Sequence, residues 1–235
     1  MTVASSRSNI VLTSLCGLLG TIALTLYFTA PFTWMPLPLP TATTQEILEF
    51  GKKYHVAILL DTWLQQFGTI LSVVFVLALV QLAQRSATLA GRLTLLTSTV
   101  IVSLSLAEGT FVLGSAQSGN NGHSESMQTC FELTYVFIHI FLLAPSLFLM
   151  MGLALKGANI LPKFLVGAAI ILGILFQSLG VVALFDNRLL IVVIGVLMLQ
   201  NLWTITTAIA LLISRNKLYT DESTPKSISM QNLHE

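Results

Sequence analysis

Residues 57–81 read AILLDTWLQQFGTILSVVFVLALVQ. The run is apolar from end to end except for one acid, Asp61, and a few uncharged polar groups. It matches the roughly 20 residues that a helix needs to cross the hydrocarbon core of a bilayer. It does not alternate polar with apolar, as a barrel strand would. Lipid cannot satisfy loose backbone N–H and C=O groups, so a continuous run of this length must be helical.

Working outward from this run, five more segments have the same character: 9–30, 93–116, 129–154, 164–185 and 189–213. The composition agrees. Hydrophobic residues make up 54% of the chain and charged residues only 9%, against about 25% charged in an ordinary soluble domain. The expectation is an all-α polytopic membrane protein, a bundle of six transmembrane helices across 9–213. Residues 1–8 are expected as a short cytoplasmic tail and 214–235 as a polar, disordered one. The apolar run after Arg7 is longer than a signal-peptide core of about 7–15 residues, which favours a retained first helix.

Lys and Arg placement predicts the orientation. Arg7, Arg85, Arg92, Lys156, Lys163, Arg215, Lys217 and Lys226 fall on one side of the six spans, and Lys52, Lys53 and Arg188 on the other. The richer side is expected to be cytoplasmic, with both termini inside.

The connections carry their own signals. Residues 31–40 hold Pro31, Pro36, Pro38 and Pro40, which exclude a regular helix there. Thr43 followed by Glu46 is a capping box and predicts a short interfacial helix starting near Thr44. Residues 117–128, rich in Ser, Gly and Asn, read as a flexible loop. Pro145 is expected to kink the fourth span. Phe185, Asp186, Asn187 and Arg188 read as a tight turn.

A net charge of +1 gives no case for nucleic acid as a partner; the partner expected from composition is the lipid bilayer. Cys16 and Cys130 form no CxxC pair, and no phosphate loop, GxSxG elbow, HExxH or haem-attachment motif occurs. The residues name no cofactor and no particular metal, and they leave the oligomeric state open.

Ionisable groups inside spans are the informative residues, because each costs roughly 2.5–3.5 kcal/mol at a helix centre. Four stand out: Asp61, Glu108, Glu132 and His139. At about 1.5 Å per residue, all four lie in the non-cytoplasmic half of the membrane or near its middle. Gln65 shares a face with Asp61, Tyr135 lies between Glu132 and His139 on theirs, and Gln177 lies on a stripe of small residues in the fifth span. Around Glu108 the face is mixed, with Ile101, Val112 and Ser115 beside Ser105.

No Lys or Arg lies within the spans to neutralise these acids. The reading this favours is an outward-facing acidic pocket of Asp61, Gln65, Glu108, Glu132, Tyr135, His139 and Gln177. It would bind or transport a proton, a cation or a small molecule, with Glu108 central, Asp61 and Glu132 at the mouth, and His139 as a relay. Two alternatives stand beside it. Three carboxylates and one His could ligate a divalent ion in a metal-dependent enzyme, although enzymatic activity is the less favoured reading. Polar stripes are also the ordinary packing surface of membrane bundles, as in a structural or partner-binding subunit without a ligand.

The stretch Leu106-Ala107-Glu108-Gly109-Thr110-Phe111, and Asn159-Ile160-Leu161-Pro162-Lys163 before the fifth span, resemble features of an uncharacterised family of bacterial six-helix integral membrane proteins. The resemblance implies a six-helix fold in a bacterial inner membrane. It carries no activity and assigns no functional residue.

Overall fold

A computed structural model describes residues 3–36, 38 and 42–222. Among them there is no strand, and six helical segments are long and apolar enough to cross a membrane. The helices are α1 (Val3–Thr33), α2 (Thr44–Lys53), α3 (His55–Leu82), α4 (Leu89–Asn120), α5 (Ser124–Leu143), α6 (Leu147–Leu155), α7 (Lys163–Ala183) and α8 (Leu190–Glu222), with a 3-10 turn at Asn187–Leu189. The all-helical six-span architecture expected from the sequence is the observed one. Many large apolar side chains point outward, among them Leu12, Val56, Trp63, Leu96, Ile171 and Leu202. Such a surface suits lipid rather than water.

Glycines set the closest helix contacts. A Cβ at Gly68 of α3 would sit 2.8 Å from Leu24 Cγ on α1, and one at Gly20 of α1 would sit 2.9 Å from the Ser72 backbone N on α3. A Cβ at Gly173 of α7 would collide with the Leu149 backbone of α6. Small residues substitute here for the hydrophobic driving force that a bilayer does not supply between helices.

Several boundaries differ from the sequence expectation. Helix α1 starts inside the expected N-terminal tail, at Val3, and continues through Pro31 to Thr33. It can do so because the N–H that Pro31 lacks is lost only in the last turn, after which Trp34 and Met35 both donate to Ala30 O. The expected flexible loop shrinks to residues 121–123, because α4 runs on to Asn120 and α5 starts at Ser124. Gly122, at φ +77°, makes the reversal.

Pro145 does more than kink the fourth span. It breaks it into α5 and α6, with Ala144 extended (φ −61°, ψ 144°) and the Ser146 side chain capping the new helix. Helix α8 continues into the expected tail as far as Glu222, since residues 214–222 contain neither Gly nor Pro to stop it. Residues 223–235 of that tail lie outside the described residues.

The interfacial helix does start at Thr44. Thr43 and Glu46 form the reciprocal capping box, Glu46 N donating to Thr43 Oγ1 at 3.3 Å and Thr43 N to Glu46 Oε2 at 2.7 Å. Tyr54 (φ −107°, ψ 17°) separates α2 from α3. The turn after α7 is closed by Arg188 N donating to Asp186 Oδ1 at 3.0 Å.

The two ends of the bundle are built differently. At the end that holds the start of α1 and the close of α8, one apolar core joins Phe75, Leu79, Met151, Leu155, Leu165 and Trp203. At the opposite end, under α2, the helices enclose a cavity.

Candidate functional site

The cavity has a volume of about 320 Å³, within the range of small-molecule sites. Helices α1, α2, α3, α4, α5 and α8 all contribute to its wall. It runs from the underside of α2, at Ile47, Phe50 and Gly51, down to Thr69 on α3 and Ile101 on α4. Helix α2 can serve as a cover because it is amphipathic, with Ile47 and Gly51 buried and Glu46, Glu49, Lys52 and Lys53 exposed.

Two acids line the chamber. Glu108 is 8% exposed, and its Oε2 accepts a 2.8 Å hydrogen bond from Gln65 Nε2. Asp61 lies one turn before Gln65 on α3 and is also 8% exposed, and its buried Oδ1 finds no hydrogen-bond partner. Below them, Gln66 Nε2 donates to Ser105 O at 2.7 Å, and Ser105 Oγ reaches Gln66 Oε1 (3.3 Å) and Thr69 Oγ1 (3.4 Å). This lower layer fixes α3 against α4 and so holds Gln65 opposite Glu108. Gly109, next to Glu108, leaves the room that the Gln66 amide fills.

The rest of the wall is apolar, much of it aromatic: Phe28, Phe50, Phe131 and Phe141, with Tyr27 and Tyr135 carrying hydroxyls. Tyr27 lines the same chamber as Glu108 and Asp61. Among the described residues that line the cavity, none is Lys, Arg or His.

The structure therefore brings together Asp61, Gln65, Glu108 and Tyr135, and it separates the other three expected site residues from them. Glu132 does not line the cavity. It is exposed on α5, where its Oε1 accepts from Gln128 Nε2 at 3.0 Å, while Gln128 Oε1 accepts from Thr44 Oγ1 at 2.8 Å. That chain ties the start of α2 to α5, so Glu132 anchors the cover. His139 is also absent from the lining. Its Nδ1 lies 2.7 Å from Tyr135 O, and since a carbonyl only accepts, Nδ1–H is the donor. Gln177 lies at the Pro145 break, where its Oε1 accepts the Ser146 N–H at 2.9 Å. It satisfies a backbone group that the break exposes.

Four-ligand metal chemistry needs Asp61, Glu108, Glu132 and His139 at one point. Among the described residues, no group of three or more His, Cys, Asp and Glu converges for an ion. The reason is register: Glu132 lies on the outer surface of α5, and the His139 ring is held against its own helix.

Sequence reasoning passed over Tyr27 and Thr69, and it noted Ser105 beside Glu108 without giving it a role. A tyrosine near a span end reads as an interfacial anchor, and Ser or Thr in a membrane helix reads as packing. Only the packing of α1 against α3 puts Tyr27 in the wall of the same chamber. The mixed face around Glu108 is explained by the same cavity, since Ile101, Ser105, Val112 and Ser115 all form its wall.

No protein-family model, no curated protein and no solved structure matches this chain.

Proposed function

We propose that the cavity is a ligand site, and that the protein is an integral membrane protein that binds or transports a cation or a cationic small molecule through it. The observation that carries this reading is the pair Asp61 and Glu108, on adjacent helices, facing one chamber without a basic residue in its wall. A buried carboxylate must be protonated or paired, and the described residues of the lining supply no basic countercharge. A dry, fully packed interior would have favoured a purely structural subunit; a chamber of about 320 Å³ favours an occupant. With both termini in the cytoplasm, as the distribution of Lys and Arg implies, the α2 end faces outward and the site is loaded from outside. The resemblance to bacterial six-helix proteins supports a location in a bacterial inner membrane.

The test is thermal stabilisation of the purified full chain by a panel of inorganic and organic cations, wild type against Glu108→Gln. At least one cation should raise the wild-type midpoint by several degrees and lose most of that effect in the variant. Equal responses of both proteins across the panel would remove the reading.

A further inference from the structure

We infer that the occupant is a protonated organic amine with an apolar body, held by Asp61 at its ammonium and by the aromatic wall at its other end. The inference rests on the reading above and narrows it. Three observations select this chemistry. The first is the state of the two acids. Glu108 already has a donor in Gln65, whereas Asp61, which also lines the cavity, has a buried Oδ1 without any partner. An N–H⁺ donor in the cavity pairs with the Asp61 carboxylate, and charge-assisted hydrogen bonds of this type are about twice as strong as neutral ones.

The second observation is the shortage of oxygen ligands. Calcium takes six to eight oxygens, and magnesium requires an octahedral set. Around Asp61 the wall is mostly hydrocarbon, and among the described residues no third acid, His or Cys joins the pair. A bare or hydrated inorganic ion would leave most of its coordination shell against apolar groups, at a large desolvation cost.

The third is the wall itself. Tyr27, Phe28, Phe50, Phe131, Tyr135 and Phe141 share the lining with both acids. Aromatic faces attract cations, and most strongly where water is excluded. The same rings bury the hydrocarbon portion of an amine. A simple proton would satisfy Asp61 but has no use for the remaining volume.

The probe is 4-phenylbutylammonium, compared with the neutral 4-phenylbutanol, with sodium chloride and with magnesium chloride. Binding to the full chain in lipid nanodiscs is measured by calorimetry. The ammonium should bind at least tenfold more tightly than the alcohol, and Asp61→Asn should close that gap while leaving alcohol binding unchanged. Tyr27→Leu should weaken the ammonium about threefold, with Tyr27→Phe retaining wild-type affinity because the ring is kept. This pair keeps the inference testable if Asp61→Asn does not fold. Equal affinity for ammonium and alcohol, or a gap that persists in Asp61→Asn, overturns the amine assignment. Binding of sodium or magnesium in preference to the ammonium overturns it too, but leaves the cation site of the previous section standing. Failure of every probe removes both.

Discussion

The two ends of this bundle contain the same kinds of polar residue and use them in opposite ways. At the end with the apolar core, buried polar side chains are either bonded or shut into close packing; the Ser14, Ser98 and Thr207 hydroxyls have no hydrogen-bond partner but do not line the cavity. Trp203 Nε1 donates to Leu165 O at 2.7 Å, and Gln177 receives the Ser146 N–H. Toward the α2 end, Gln65 is occupied by Glu108, but Asp61 lines a chamber and its Oδ1 has no hydrogen-bond partner. A polar group within a bilayer span is thus no sign of a site in itself. It becomes one when the surrounding packing withholds its partner and leaves room for another.

The comparison makes directional predictions. In the packed half, stability should respond most. Gly173→Leu forces a side chain into the Leu149 backbone, where nothing flexible can give way. The expected loss is about 3 kcal/mol or more, read as a collapse of the thermal midpoint or as failure to fold. Gln177→Leu is milder. It strands the Ser146 N–H beside the Pro145 break, which costs about 1–3 kcal/mol. Normal unfolding midpoints in both variants would erase the distinction between the halves.

In the cavity half, the sign should reverse. Asp61→Asn removes a buried acid that has no partner in the empty protein, so the ligand-free form should gain about 1 kcal/mol. For a chain of this size that is a rise of roughly 2–4 °C in midpoint. A function-bearing group that weakens its own fold is common at binding sites. A fall in midpoint as large as that of Gln177→Leu would mean that Asp61 is ordinary structural glue.

The smallest effect concerns the cover. Thr43→Ala removes the α2 cap, worth about 1 kcal/mol locally, and should speed amide exchange in α2 with little change in α7. The Glu46 carboxyl is held below its ordinary value of 4.5, mainly by the Thr43 backbone N–H and then by the Thr43 hydroxyl. Its contribution to the cap is therefore complete above pH 4.5 and fades as pH falls through the lower, folded-state value. Protection of the α2 amides, taken relative to the intrinsic exchange rate at each pH, should fall on acidification below that range, and the fall should be absent in Glu46→Gln. Protection that does not change with pH would show that α2 is held by its apolar face alone.

The sequence by itself determined the six spans and the α2 cap at Thr43 and Glu46, and it singled out Asp61 and Glu108 as acids within apolar runs. Each of these is local: length and hydropathy decide whether a segment can cross a bilayer, a cap lies within one helical turn, and an acid in an apolar run stands out wherever it points. Tertiary structure alone decided which polar groups meet. It set Gln65 against Glu108, gave Gln177 to the broken backbone at Ser146, left Glu132 outside as an anchor for α2, and put Tyr27 in the wall of the chamber that the acids line. Those outcomes depend on the rotation and close approach of helices far apart in the chain. That approach is set by glycine contacts such as Gly68 with Leu24, which no single span encodes.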